Sequence, residues 1–213
     1  MNTITEIYKG CRINAGLQMH MLRVAAVASI LCDHAAFECD TEHVISACLL
    51  HDMGNIIKAK LEMSPELFEP EGIAYWSKVQ KEFTEKFGNE HHAAMEIAKE
   101  LGVSVATLGY IDMVGMGGLV ATAERGDLNN KICSYSDMRV GLYGVLSLED
   151  RLGDLFARQR QAGRYDEKQR DEWRSMLVGF EKELFAGANI KPEDINDEPV
   201  AFCIAKLKSY IVV

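Results

Sequence analysis

Helical spacing of apolar residues runs along this chain almost without a break, and it leaves little room for a sheet. Only four prolines occur in 213 residues, and period-two alternation is scarce, so an all-α fold is expected. Leu17, Met21, Val24, Val27 and Leu31 recur at three- and four-residue intervals and predict a long helix over 15–32, with His20 on its inward face. Asp40 or Thr41 is placed to cap the next helix, in which Val44, Ile45, Cys48 and Leu49 lead to His51. A charged and aromatic insertion over 59–88 follows. Residues 90–101 form an amphipathic pattern stopped by Gly102. A segment over 130–140 carries Asp137, Ser147-Leu148-Glu149-Asp150 has the form of a capping box, and two more amphipathic helices are expected near 166–185 and 198–211. The expected organisation is a single helical domain over 1–213, with a core over about 14–140 and additional C-terminal helices over 141–213.

Composition removes several classes of function. A net charge of −9 argues against a nucleic-acid polymer as partner, because affinity for a phosphate backbone rests on clustered Lys and Arg. The longest apolar stretch, 24–32, is far below the ~18 residues of a membrane span, so no membrane partner is expected. The N-terminal residues show no basic region followed by a hydrophobic one, and a cytoplasmic location is expected. Six cysteines occur without a Cys-x-x-Cys pair, which disfavours zinc-ribbon and redox readings. Cys133 reads as packing.

The chemistry gathers around His51-Asp52 at the end of the apolar run Ala47-Cys48-Leu49-Leu50. An imidazole and a carboxylate buried together need a partner, and a divalent cation suits both. Adjacent residues diverge by about 100° on a helix, so the two can meet one ion only where the site straddles a helix end or lies between helices. His20 precedes the pair within Gln18-Met19-His20-Met21-Leu22, and Asp137 follows it within Ser134-Tyr135-Ser136-Asp137-Met138-Arg139. On residue type alone His20 reads more readily as a hydrogen-bonded core histidine, and a buried carboxylate paired with Arg139 or Arg151 is the alternative for Asp137.

The ordered set of one early His, then His-Asp, then a middle His, then a late Asp resembles the HD-domain superfamily of metal-dependent phosphohydrolases, over roughly residues 14–140. The resemblance implies His20, His51, Asp52 and Asp137 as metal ligands. It places the middle histidine in Phe87-Gly88-Asn89-Glu90-His91-His92. Helical phase favours His91, in line with Ala94 and Ala98, over His92, which lines up with Glu96 and Lys99. The family's further middle histidines would fall near 110–116, where none stands, and this implies one metal ion rather than two. Asp112 lies in that region and reads as a surface charge.

Mixed nitrogen and oxygen donors suit one divalent ion of Mn, Fe, Co, Ni or Zn. The resemblance implies hydrolysis of a small phosphate ester, with nucleotides among the candidates, and Asp52 both holding metal and orienting water. Arg23, three residues beyond His20, is a phosphate-clamp candidate. Lys58, seven beyond His51, either contacts phosphate or neutralises a helix end. The competing class is a signalling or ligand-binding module that keeps the fold without efficient turnover, and the absent histidines favour it. An oxidative di-iron centre would need those histidines. A homo-oligomer is compatible with the sequence.

Overall fold

The computed structural model describes residues 2–161 and 167–213. Among them the chain forms α-helices joined by loops and short 3-10 turns, with no β-strand; Val140 and Val145 make an isolated antiparallel bridge. In order the helices are α1 (Ile4–Gly10), α2 (Ala15–His34), α3 (Thr41–Leu50), α4 (Gly72–Phe87), α5 (Glu90–Leu101), α6 (Val105–Met113), α7 (Leu119–Arg125), α8 (Leu128–Asp137), α9 (Leu148–Gln161), α10 (Glu167–Leu184) and α11 (Asp197–Leu207).

The axis of the fold is α2. Asn14 starts it by accepting a hydrogen bond from the Leu17 N–H, as an N-cap should. Met21, Val24, Val27 and Leu31 are buried as the periodicity predicts, but so are Ala25, Ala26 and Ala28. A helix apolar all round belongs in a core, and α3, α8 and α11 enclose this one. Its hydropathy of 1.4 and its 20-residue length fall within the range of a membrane span, a property that counting unbroken apolar runs does not reveal. Here that face is covered by protein.

In α3 every residue from Val44 to Leu50 is buried. Asp40 occupies the N-cap position, yet its side chain makes no capping bond. Its carboxylate instead meets His43 Nδ1 at 2.5 Å and accepts from the Tyr110 hydroxyl at 3.1 Å, tying α3 to α6. The helix closes at Leu50 with His51 as C-cap, so it does not continue towards Lys58; Asn55–Lys58 is a separate 3-10 turn. Gly54 separates the two because the chain passes directly under α5: a Cβ there would stand 2.1 Å from the Glu90 carbonyl oxygen and 2.7 Å from Ala93 Cβ.

The insertion docks on the core through one stripe of α4, with Trp76, Val79, Phe83 and Phe87 buried. Gln80 Nε2 donates to the carbonyls of Ile56 and Ala59, both at 2.8 Å, and so clasps the loop that follows the His-Asp pair. In the C-terminal part α10 packs on α8 and α11 packs along α2. Arg139 is buried and donates to the carbonyls of Leu146, Pro192 and Ile195 and to the Tyr135 hydroxyl. Arg151 pairs with Asp154 at 3.3 Å. Neither arginine is therefore the partner of Asp137.

Candidate metal centre

The ends of two helices, the turn beyond one of them and the face of a third helix converge on a single point. His20 comes from the second turn of α2, His51 caps α3, Asp52 lies in the turn beyond it, and Asp137 is the last residue of α8. The expected straddling of a helix end is what the structure shows. His20 Nε2 lies 3.4 Å from Asp52 Oδ2 and 3.2 Å from Asp137 Oδ1. His51 Nε2 lies 3.6 Å from Asp52 Oδ2 and 3.7 Å from Asp137 Oδ1. Ligand atoms of His20, His51 and Asp52 all stand within 4.8 Å of one another. Side-chain exposure runs from 4% for His51 to about a fifth for both His20 and Asp52, so the ring has a closed floor at His51 and an open side at His20 and Asp52.

The tautomer of His51 follows from its neighbour. Its Nδ1 lies 2.9 Å from the Cys48 carbonyl, which can only accept, so Nδ1 carries the proton. In the neutral ring Nε2 then presents a lone pair to the centre, and it is buried with no hydrogen-bond partner. A carbonyl that fixes one imidazole nitrogen while the other faces a ring of carboxylates is the arrangement of a metal-ligating histidine. The residues present therefore fit a divalent ion.

The charges agree. Burial works against a charged His20, but hydrogen bonds and charge from Asp137 and Asp52 prevail and raise its pKa to about 9. Burial likewise opposes protonation of His51, and the nearby Asp52 and Asp137 carboxylates outweigh it, moving that pKa upward. Asp52 is lowered and Asp137 held well below the usual carboxylate range, in each case against burial and through the two imidazoles. Two carboxylates thus draw positive charge into a site that no Lys or Arg enters among the described residues.

Of the other residues singled out from sequence, Arg23 is half-buried one turn beyond His20 and has no ion pair or hydrogen bond among the described residues. Lys58 is exposed and pairs with Glu90 at 3.5 Å, so the helix-end role is replaced by an ion pair to the first turn of α5. His91 and His92 are both exposed. His91 is not drawn into the four-residue ring; its Nε2 meets Asp112 Oδ1 at 3.0 Å, bridging α5 to α6. Asp112 is thus a partnered charge. Sequence reasoning missed the Cys48 carbonyl and the close approach at Gly54. The first has a signal in hindsight, since the residue three before a helix-terminal histidine offers its carbonyl to that ring.

Residues 17–108 match the family model described as HD domain, an interval that holds His20, His51 and Asp52 and stops short of Asp137. No curated protein and no solved structure matches the chain.

Proposed function

We propose, from the match of residues 17–108 to the HD domain model, that this is an HD-type metal-dependent phosphohydrolase acting on a small phosphate ester, with nucleoside monophosphates the first class to test. The observation that carries this reading is the orphaned, buried Nε2 of His51 facing two carboxylates and a second imidazole.

His20 and His51 supply neutral nitrogen donors once His20 has lost its proton, and Asp52 and Asp137 supply two negative charges. An ion of Mn, Fe, Co, Ni or Zn held there contributes Lewis acidity, which acidifies water and offsets charge on phosphoryl oxygens. Cys48 keeps His51 in the one tautomer that can serve. Asp52, the more exposed of the two carboxylates, is the group placed to orient an attacking water. Two carboxylates cancel the charge of a divalent ion, so a phosphate dianion needs a further cation. Arg23 is that cation, since nothing else among the described residues engages it and it stands one turn from His20 on the same helix.

A second reading, an HD-fold module that binds a phosphorylated ligand without turnover, draws support from the exposed Lys58–Glu90 and His91–Asp112 pairs, which satisfy each other and leave Arg23 to act alone. Protein purified without chelator, assayed for metal and for phosphate release with added Mn or Co, separates the two. The hydrolase reading requires about one ion per chain in the wild type, a loss in Asp52→Ala, and phosphate release that stops on chelation. Full metal loading with no hydrolysis across a broad screen favours the binding module, and equal metal content in wild type and Asp52→Ala removes the site altogether.

A further inference from the structure

The last carbonyls of α3 decide how His51 and Asp52 are presented, and each of them has its own donor. The Ala47 carbonyl accepts from the His51 N–H at 2.9 Å, and the Leu50 carbonyl from the Met53 N–H at 3.2 Å. The Cys48 carbonyl accepts from His51 Nδ1 at 2.9 Å. The Leu49 carbonyl is supplied from outside the helix, by the Tyr8 hydroxyl of α1 at 2.7 Å. A helix leaves its last carbonyls without partners of its own, and here a side chain 41 residues upstream meets that need.

Tyr8 is firmly held. Its side chain is buried with Ile4 and Ile7 of the same helix. The Ile13 N–H donates to the Tyr8 carbonyl at 2.9 Å, and Gln18 Nε2 of α2 donates to the Ile13 carbonyl at 2.6 Å, two residues before His20. Burial pushes the phenol well above its usual pKa, so the hydroxyl stays a donor. This residue lies outside the 17–108 interval that matches the HD domain model. In an uninterrupted helix the Met53 N–H would bond to the Leu49 carbonyl and the Asp52 N–H to that of Cys48. The second bond would compete with His51 Nδ1 for one carbonyl, and the continuing helix would hold the two side chains about 100° apart, away from a shared corner. With Leu49 already supplied, Met53 turns instead to Leu50 in the tighter three-residue pattern, and α3 stops there.

We propose that Tyr8 is a positioning residue of the metal centre: its hydroxyl ends α3 at Leu50, reserves the Cys48 carbonyl for His51 and so turns Asp52 towards the ring. This role rests on the metal-centre part of the phosphohydrolase reading and not on turnover. Without the hydroxyl a buried carbonyl loses its donor, which is costly. The repair within reach is for the Met53 N–H to return to Leu49, and that lengthens the helix through the very residues that must leave it.

Tyr8→Phe deletes the hydroxyl and keeps the ring in the core, whereas Ile7→Val trims the same helix without touching the bond. Calorimetric titration of each full-length protein with Co measures metal affinity, and thermal melts report stability. Nitrogen-edited NMR of the metal-free proteins reads the His51 Nδ1–H as a slowly exchanging ring signal. Tyr8→Phe should weaken Co binding by about 10–100-fold, the range for groups that orient a ligating histidine, and should lose the slow ring signal, while Ile7→Val keeps both. Wild-type affinity together with an intact ring signal in Tyr8→Phe overturns the role. Equal losses in the two variants at equal melting temperature also overturn it, because packing of α1 then accounts for the effect. A wild type that binds no Co removes the metal centre, and the ring signal by itself then decides whether Tyr8 sets the corner, so the two failures are distinguishable.

Discussion

Proton and metal compete for the same lone pair on His20, and the competition has a calculable size. In the metal-free protein the His20 pKa is raised from 6.5 to about 9. The protonated imidazole therefore stabilises the fold fully below pH ~6.5, and that contribution is lost as pH rises through about 9, with an upper bound on the order of 3 kcal/mol. A metal ion must first displace this proton. Its apparent affinity should rise roughly tenfold per pH unit between ~6.5 and 9, about 100-fold over two units, and binding should release about one proton near neutral pH. The shift of His51 in the same direction can only steepen the slope. The two trends run oppositely: metal-free stability falls across this window while the gain on adding metal grows. Calorimetric titration with Co at pH 6.5, 7.5 and 8.5, in buffers of differing protonation enthalpy, measures both slope and proton count, and thermal melts with and without metal supply the stability side. His20→Gln should flatten the slope to whatever His51 contributes and weaken binding. An affinity that is flat across the window, with no proton released, would refute the reasoning, because His20 would then be either neutral without metal or absent from the ligand set.

Three further outcomes are expected. Gly54→Ala should destabilise the fold by about 1–3 kcal/mol, since its Cβ meets the Glu90 carbonyl and Ala93; an unchanged melting temperature with unchanged metal affinity would contradict that contact. Arg23→Ala should raise KM for a phosphomonoester more than it lowers kcat if the guanidinium holds phosphate equally in ground and transition states, and the reverse split in steady-state kinetics would give Arg23 a role in the chemical step. His91→Ala should lower activity more than His92→Ala, because only His91 is held in a defined position by Asp112; the opposite order would show that the first turn of α5 presents its other face to the substrate.

The helices were legible because their signals are local. Asn14, Asn89 and Ser104 each start a helix by a side-chain bond to a backbone N–H three residues on, and Gly102 ends one at φ 74°. The four-residue ring was named through the family resemblance, and the structure brings the side chains together because α3 ends at Leu50, beside the inward face of α2 and the last residue of α8. What escaped depends on distance in sequence. Nothing near His91 announces that Asp112, 21 residues on, will hold it, so phase alone pointed it inward. Lys58 was read along a helix that Gly54 does not allow to continue, and the cause is steric contact with α5, a partner invisible to a local pattern. Asp40 looked like a cap and became a tie to Tyr110 for the same reason. The four ring residues follow the family's order of residue types, whereas the partners of His91, Lys58 and Asp40 lie on other elements, where neither a local pattern nor that order names them.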